Sequence, residues 1–299
     1  MGLIQQDVGD YIKALAREQK AVVFCEGYES RPQRGQTCKL IAGANVQNYL
    51  YQTQAHSQPA LPVCKQGVYP ESLRRKAKAI TGSQVGEMYG AGQMRSVLNY
   101  NDFETHSYCL TDQQDYQHFL ISCLDQKQPV IAYFDVCAVQ HRGRPANFQG
   151  EFEHSAVIVG YYFDKQQLRL IAAQWGCFFD MSCQALMDSS AQLKTVKPAE
   201  HFQKYRFFGN ALWLERDQIA RSLNQFNPVL KLILSWLQYL WPKNDEIRVS
   251  APPTNDSGCL ASVLTVIHGD QRDLDLDAFS NYRLPVTVEP DVPQQGANP

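Results

Sequence analysis

Cys38 is the residue whose setting could make a nucleophile. It follows a loop containing Pro32 and Gly35, and it opens the helix-forming run TCKLIAGANVQNYLYQT behind a candidate N-cap, Thr37. The unpaired N–H groups of a helix start carry partial positive charge, which favours thiolate over thiol. A sulfur nucleophile needs a proton partner, most often an imidazole. Of the seven histidines, His154 begins an apolar run, HSAVIVGYYFD, after a loop containing Gly150. At such a strand start a side chain can face a cleft while its backbone stays rigid. His118 lies within a helical run, and His56, His106, His141, His201 and His268 lie in polar segments.

An imidazole acting as base is held by an acceptor on its other nitrogen. The run after His154 turns at KQQ and returns as LRLIAAQWG, so a hairpin turning near Lys165 brings Gln174 opposite residue 155 or 156. The Gln174 side-chain oxygen is then the candidate that orients His154, with Trp175 shielding the bond from water. An acyl-transfer site also needs an oxyanion hole. The Cys38 N–H supplies one donor and the Gln33 side-chain amide the second; Gln36 is close enough to cap the helix instead. The bland alternatives are a small buried apolar cysteine and a strand-end amide.

The elements that must position these residues form an α+β pattern. Helical spacing marks 4–18, with Ile4, Val8, Ile12 and Leu15 on one stripe, then a run from Thr37, another from Pro70 to Ile80 and one around 84–98. Arg74, Arg75, Lys76 and Lys78 give the third helix a solvated basic face. DQQDYQHFLISCLDQ is a helix capped by Thr111 or Asp112, and 182–191 is another. Strands are expected at 20–25, 129–136, 154–164, 168–176 and within 205–215. PVIAYFDV has too little polar alternation for an edge strand. Residues 216–241 carry a helical apolar stripe with Pro228 as a kink. GCLASVLTVIHG, 258–269, could dock as strand or helix.

Composition bounds the function. With 299 residues, 44% apolar and 19% charged, a packed core is expected. A net charge of −2 removes the electrostatic case for nucleic-acid binding. No apolar run approaches the roughly 20 residues of a membrane span. MGLIQQDVGD lacks the basic start of a signal peptide, and Gln6 departs from the myristoylation pattern. Nine cysteines without a CxxC pair fit neither a disulfide framework nor a zinc ribbon, and point to a reducing, cytoplasmic setting. No metal or organic cofactor is implied. After Pro242 the chain carries nine acidic and four basic residues.

Three pieces resemble the papain-like cysteine peptidase superfamily, especially its bacterial C39-like branch. They are Gln33-Arg34-Gly35-Gln36-Thr37-Cys38 opening a helix, the strand KQPVIAYFDV after a helix, and EHSAVIVGYYF with LRLIAAQWG, similar to that superfamily's His-Ala-Val-Val-Gly-Tyr and Asn-Ser-Trp-Gly region. The resemblance spans about 20–215. It implies an α+β papain-like domain there, with a helical part carrying Cys38 and an antiparallel sheet carrying His154. Residues 1–19 are then an N-terminal helix, 216–242 a C-terminal helix, and 243–299 an acidic, Pro-containing, partly disordered tail.

The departures open alternatives. Gln33 stands five rather than six residues before the cysteine. The superfamily's Asn falls on Ala173, and Gln174 sits on the other side of an ideal strand unless a bulge intervenes. Against bacterial effector proteases with Asp-Pro-Asn-Phe-Gly, Asp falls on Ala172 and Asn on Gln174. The bacterial cycle-inhibiting-factor deamidases are similar in using Cys, His and Gln. The resemblance therefore implies a cysteine protease acting on a protein or peptide. A glutamine deamidase or transglutaminase-type effector, secreted without a cleaved signal peptide, stays beside it. A non-catalytic binding module fits Ala172 and Ala173. The stripe at 228–241 fits a membrane surface or a partner protein.

Overall fold

The hairpin expected around Lys165 is the spine of an eight-stranded antiparallel sheet. The computed structural model describes residues 2–4, 7–33, 37–63, 72–81, 86–88, 90–136, 143–150, 152–195, 205–208, 212–215 and 259–285. Among these, β1 (Gly2–Leu3), β2 (Val22–Phe24), β3 (Glu104–Cys109), β4 (Val130–Asp135), β5 (Glu153–Asp164), β6 (Gln167–Gln174), β7 (Cys177–Ser182) and β10 (Val263–His268) form the sheet. Its order is β1-β7-β6-β5-β4-β10-β3. β4 pairs with the first half of β5 and β2 with the second. A separate ribbon is made by β8 (Tyr205–Phe208) and β9 (Leu212–Glu215). Lys165 and Gln166, at φ 47° and 67°, make the two-residue turn that matches the twist of a hairpin.

The helices are α1 (Val8–Arg17), α2 (Cys38–Gln52), α3 (Leu73–Thr81), α4 (Ala91–Leu98), α5 (Gln113–Asp125) and α6 (Cys183–Ser190), with a 3-10 turn at Asp277–Tyr282. α2 packs on β5, β4 and β10, while α5 and α6 pack on β4. Every residue of β4 is buried, and its apolar run Val130–Phe134 is what a central strand covered on both faces requires. Tyr116, Phe119, Leu120, Tyr133 and Phe134 are fully buried and form the centre of the core.

Several expectations change. The first helix starts at Val8, because Asp7 accepts the Gly9 N–H and caps it there; Gly2–Leu3 is instead a strand paired with β7. Residues 1–19 therefore hold the expected helix and, before it, a strand that joins the sheet. Of the basic residues of the third helix, Arg75 is exposed and Lys76 and Lys78 are half-buried, but Arg74 departs from the solvated face and is buried beside Leu73 and Ala77. Thr37 takes the N-cap position but its side chain makes no capping bond. The strands β3 and β7 were not anticipated: ETHSYC is too polar to announce a buried strand, yet it pairs along its whole length with β10.

The largest correction concerns the C-terminal region. β10 lies between β4 and β3, pairing with both, so 263–268 completes the same sheet as 20–215 and is no tail. Nine acidic residues dilute its apolar content, while VLTVI itself is buried. The predicted helix at 216–242, including 228–241, lies outside the described residues, as do 243–258 and 286–299.

Candidate active site

Cys38 is the first residue of α2, whose first turn is buried. It lines a shallow cleft, open to solvent, between α2 and the β5–β6 hairpin. Cys38, Ala42 and Asn45 give it one wall from successive turns of α2, and Ser155, Val157 and Ala173 the facing wall. Arg31, Gln33, Gln174 and Trp175 are also in the lining. Three of the four residues singled out by the sequence, Cys38, Gln33 and Gln174, thus meet at one pocket.

His154 is placed differently. Side chains along β5 alternate, so Glu153, Ser155 and Val157 face α2 while His154 and Ala156 face away. The His154 ring packs on Trp175, centroids 4.6 Å apart, and edge-on against Phe134 at 5.7 Å. Ser155 holds the position on the cleft wall, and its hydroxyl favours the ionised form of the Cys38 thiol.

A β-bulge decides where Gln174 points. β5 and β6 pair Ile158 with Ala172 but Gly160 with Ile171, leaving Val159 as the extra residue. Counted from the turn without that residue, Gln174 would oppose Val157 and share the face of Ser155. With it, Val157 opposes Ala173, the next step sets Gln174 against Ala156, and the amide falls on the His154 face. This agrees with the spacing argument from the sequence and supplies the bulge the ideal strand lacked.

The amide is then oriented by one bond. Gln174 Nε2 donates to the Gly143 carbonyl at 2.5 Å, which leaves Oε1 as the free acceptor. Both Gln174 Oε1 and His154 Nε2 are buried without a hydrogen-bond partner, and Gln174 acts to raise the His154 pKa. Gly143 sits at φ 84°, where a Cβ would come within 2.6 Å of Gln174 Nε2 and 2.7 Å of Trp175. Only glycine lets this backbone approach so closely.

The loop carrying Gly143 is itself pinned. Asp135 is fully buried at the end of β4, and its carboxylate accepts the N–H groups of Phe148 (2.7 Å), Gly150 (2.9 Å) and Phe152 (2.8 Å). Ser189 Oγ donates to the carbonyls of Asp135 and Ala146, joining α6 to the same loop.

Beside Cys38 lies a buried ion triad. Lys39 Nζ donates to Glu87 Oε1 at 2.7 Å and also pairs with Glu153. Burial alone would lower Lys39, but Glu153 and Glu87 outweigh it and hold the ammonium well above its ordinary pKa. The triad carries one net negative charge when both carboxylates are ionised. Burial raises the Cys38 thiol, Glu87 raises it further, and Lys39 and Ser155 only partly oppose them. The helix-start argument expected a stabilised thiolate; burial wins because Cys38 is enclosed. Burial pushes His154 down to about 3, with Lys39 adding to the effect against Gln174. The resting state is a neutral thiol and a neutral imidazole.

The other described histidines have structural partners. His56 stacks on Phe103 at 3.5 Å and bonds Asn101. His106 and His268 contact one another edge-on, and His118 packs against Phe279. His141 and His201 lie outside the described residues. Among the described residues no group of His, Cys, Asp and Glu is arranged to hold a metal ion, and no helix is long and apolar enough to cross a membrane. Sequence reasoning missed Lys39, Glu87, Asn45, Asp135, Gly143 and Ser155. Lys39 was readable as a charge inside an apolar helix start; Glu87 and Asp135 gave no local signal, because their partners come from distant segments.

No family model matches the chain, and no curated protein matches it. Among solved structures, a digestive procathepsin L 3 of the Tenebrio molitor larval midgut superposes with a TM-score of 0.32 and 12% identity, over 56% of this chain and 67% of its own. A superposition that loose carries no weight for fold or chemistry. The sheet order and helices establish a mixed α+β chain built on one antiparallel sheet.

Proposed function

We propose that this chain is a cysteine-dependent acyl-transfer enzyme of papain-like type, acting on a protein or peptide amide through a thioester. The observation that carries the proposal is the shared pocket: Cys38 at the start of α2 and Gln174 at the end of β6, with the Gln174 acceptor turned by Gly143 toward His154. Burial sets the starting protonation states. A neutral His154 is a base and a neutral Cys38 is the proton donor; the reaction requires the His154 ring, which faces away from α2 in the resting structure, to turn toward Cys38 and take the thiol proton as the C–S bond forms. Gln33 and the Cys38 N–H receive the oxyanion. His154 then protonates the departing amine and activates water against the thioester. Peptide cleavage is the direct form of this reaction; glutamine deamidation and transamidation use the same steps with another acyl donor or acceptor.

Support comes from the packing and from the sequence resemblance around Cys38 and His154. The test is the alkylation rate of Cys38 by iodoacetamide at neutral pH, mapped by mass spectrometry. His154→Ala should slow it severalfold while the exposed Cys177 is unaffected. An unchanged rate would sink the mechanism. One observation favours a second reading, a binding module on the same fold: Ser155 and not His154 lines the cleft opposite the thiol. Under that reading His154→Ala and Cys38→Ala both leave ligand binding intact and alkylation is indifferent to His154.

A further inference from the structure

Away from the cleft, two thiols that take no part in the proposed chemistry are held side by side. Among the described cysteines, Cys25, Cys38, Cys123 and Cys183 are buried, Cys177 is exposed, and Cys109 and Cys259 are half-buried. Cys109 ends β3, in register with Val263 of β10. The chain enters β10 through a tight turn, in which the Val263 N–H donates to the Leu260 carbonyl at 3.3 Å and Ser262 sits at φ 56°. That turn folds over the end of β3. The Leu110 N–H donates to the Ser262 carbonyl at 2.9 Å, and Cys109 Sγ lies 3.9 Å from the Ala261 carbonyl. Cys259 stands two residues before Ala261, so at most about 7 Å of chain separates it from the group that Cys109 touches. The turn is fixed to α6 as well, because the Ser262 N–H donates to Ser190 Oγ at 3.2 Å. The two sulfurs also sense one another: burial raises the Cys109 thiol, and the charge of a Cys259 thiolate raises it further.

We infer that Cys109 and Cys259 are a redox modification site, a dithiol that a small disulfide of the glutathione class converts to a Cys109–Cys259 bond. The inference is independent of the acyl-transfer reading. Half-buried thiols can meet a small disulfide, whereas the four buried ones are screened from it. Cys177 is open, but it lies on β7, four strands or about 19 Å from β10, beyond the reach of a disulfide. In the first step the Cys259 thiolate attacks one sulfur of oxidised glutathione. The S–S bond breaks, and one glutathione leaves as a thiol with the proton that Cys259 gave up. The Cys109 thiolate then attacks the Cys259 sulfur of the mixed disulfide, and the second glutathione leaves with the Cys109 proton. The two cysteines lose two electrons and two protons, and one glutathione disulfide gains them to become two thiols. The bond ties the end of β3 to the entry of β10, the strand on which α2 packs. Oxidation therefore fastens the part of the sheet beneath the helix that carries Cys38, and it constrains the unfolded chain by closing the loop between residues 109 and 259.

The test incubates the full chain with excess oxidised glutathione, blocks the remaining thiols with iodoacetamide, and maps the peptides without reduction; Tm is measured on the same samples. The expected result is a Cys109–Cys259 cross-link as the predominant disulfide, within a monomer, with Tm raised by about 5 °C or more. Dithiothreitol should reverse both. Cys109→Ser and Cys259→Ser should each abolish the cross-link and the gain in Tm, leaving the remaining thiol joined to glutathione. Both thiols staying free, or both carrying glutathione with no link between them, overturns the inference, as does a predominant link through another cysteine. A Cys109–Cys259 link that fails to raise Tm overturns it too, because the bond then forms only in a distorted chain.

Discussion

At the scale of single residues, the His154–Gln174 pair is set by a third group that does no chemistry. The Gly143 carbonyl claims the amide N–H of Gln174, and that choice leaves the oxygen for the imidazole. Replacing the amide by a carboxylate should make this visible. In Gln174→Glu the His154 pKa, held at about 3 by burial, should rise by at least about one unit. Imidazole proton shifts followed against pH would show it, and a value unmoved by the substitution would mean that residue 174 does not face the ring. Gly143→Ala should act through the same contact. Its Cβ collides with Gln174 and Trp175 at a positive φ, which should cost about 1–3 kcal/mol of stability, read from urea unfolding, and should lower the Cys38 alkylation rate toward that of His154→Ala.

Elements meet through buried charges that the hydrophobic pattern could not announce. Lys39 joins α2 to β5 through Glu153 and to the 86–88 segment through Glu87. Lys39→Met leaves two carboxylates buried without a cation and should destabilise the fold by about 3–5 kcal/mol. Adding Glu87→Gln should recover part of that loss; chemical denaturation of the single and double variants measures it, and strict additivity would mean the triad is not coupled. Asp135 plays the corresponding part for the loop before β5. Asp135→Ala removes the acceptor of three N–H groups, so the amides of Phe148, Gly150 and Phe152 should lose hydrogen-exchange protection selectively. Protection retained at those three positions would show that the loop is held by other contacts.

For the whole molecule, buried neutral imidazoles set the acid limit. His154 is pushed to about 3 and His268 to about 4, both first by burial, from an ordinary value of 6.5. The unfolded chain binds these protons below about pH 6.5 and the folded chain does not, so stability falls as pH drops through that window toward 4. The slope of unfolding free energy against pH should reach at least two protons near pH 5, because His106, in contact with His268 and also lowered first by burial, adds to these two rings, and His268→Asn should reduce it by about one. A flat profile between pH 6.5 and 5 would contradict the burial of both rings. The same depression keeps His154 a base in mild acid, so Cys38 alkylation should show no inflection near 6.5.

Much of this architecture is legible in the sequence because it is local. HSAVIVGYYFD, a two-residue turn and LRLIAAQWG form a hairpin by their own periodicity, and the count from Lys165 brings Gln174 within one residue of its place. Asp112 caps α5 and Thr37 marks the start of α2 in the same way. The sequence alone therefore determines the strands β2, β4, β5 and β6, the helix that begins at Cys38 and the shortlist of chemical groups. What it leaves open depends on partners far along the chain. The bulge at Val159 decides which face Gln174 takes; Gly160 beside it is a local mark of a bulge, but which face results depends on the pairing with β6. VLTVIH becomes the strand between β4 and β3 only because both supply open edges. The Cys38 thiol is raised and not lowered because Glu87 and the sheet enclose it, and solvent exclusion of that kind is a property of the packed molecule.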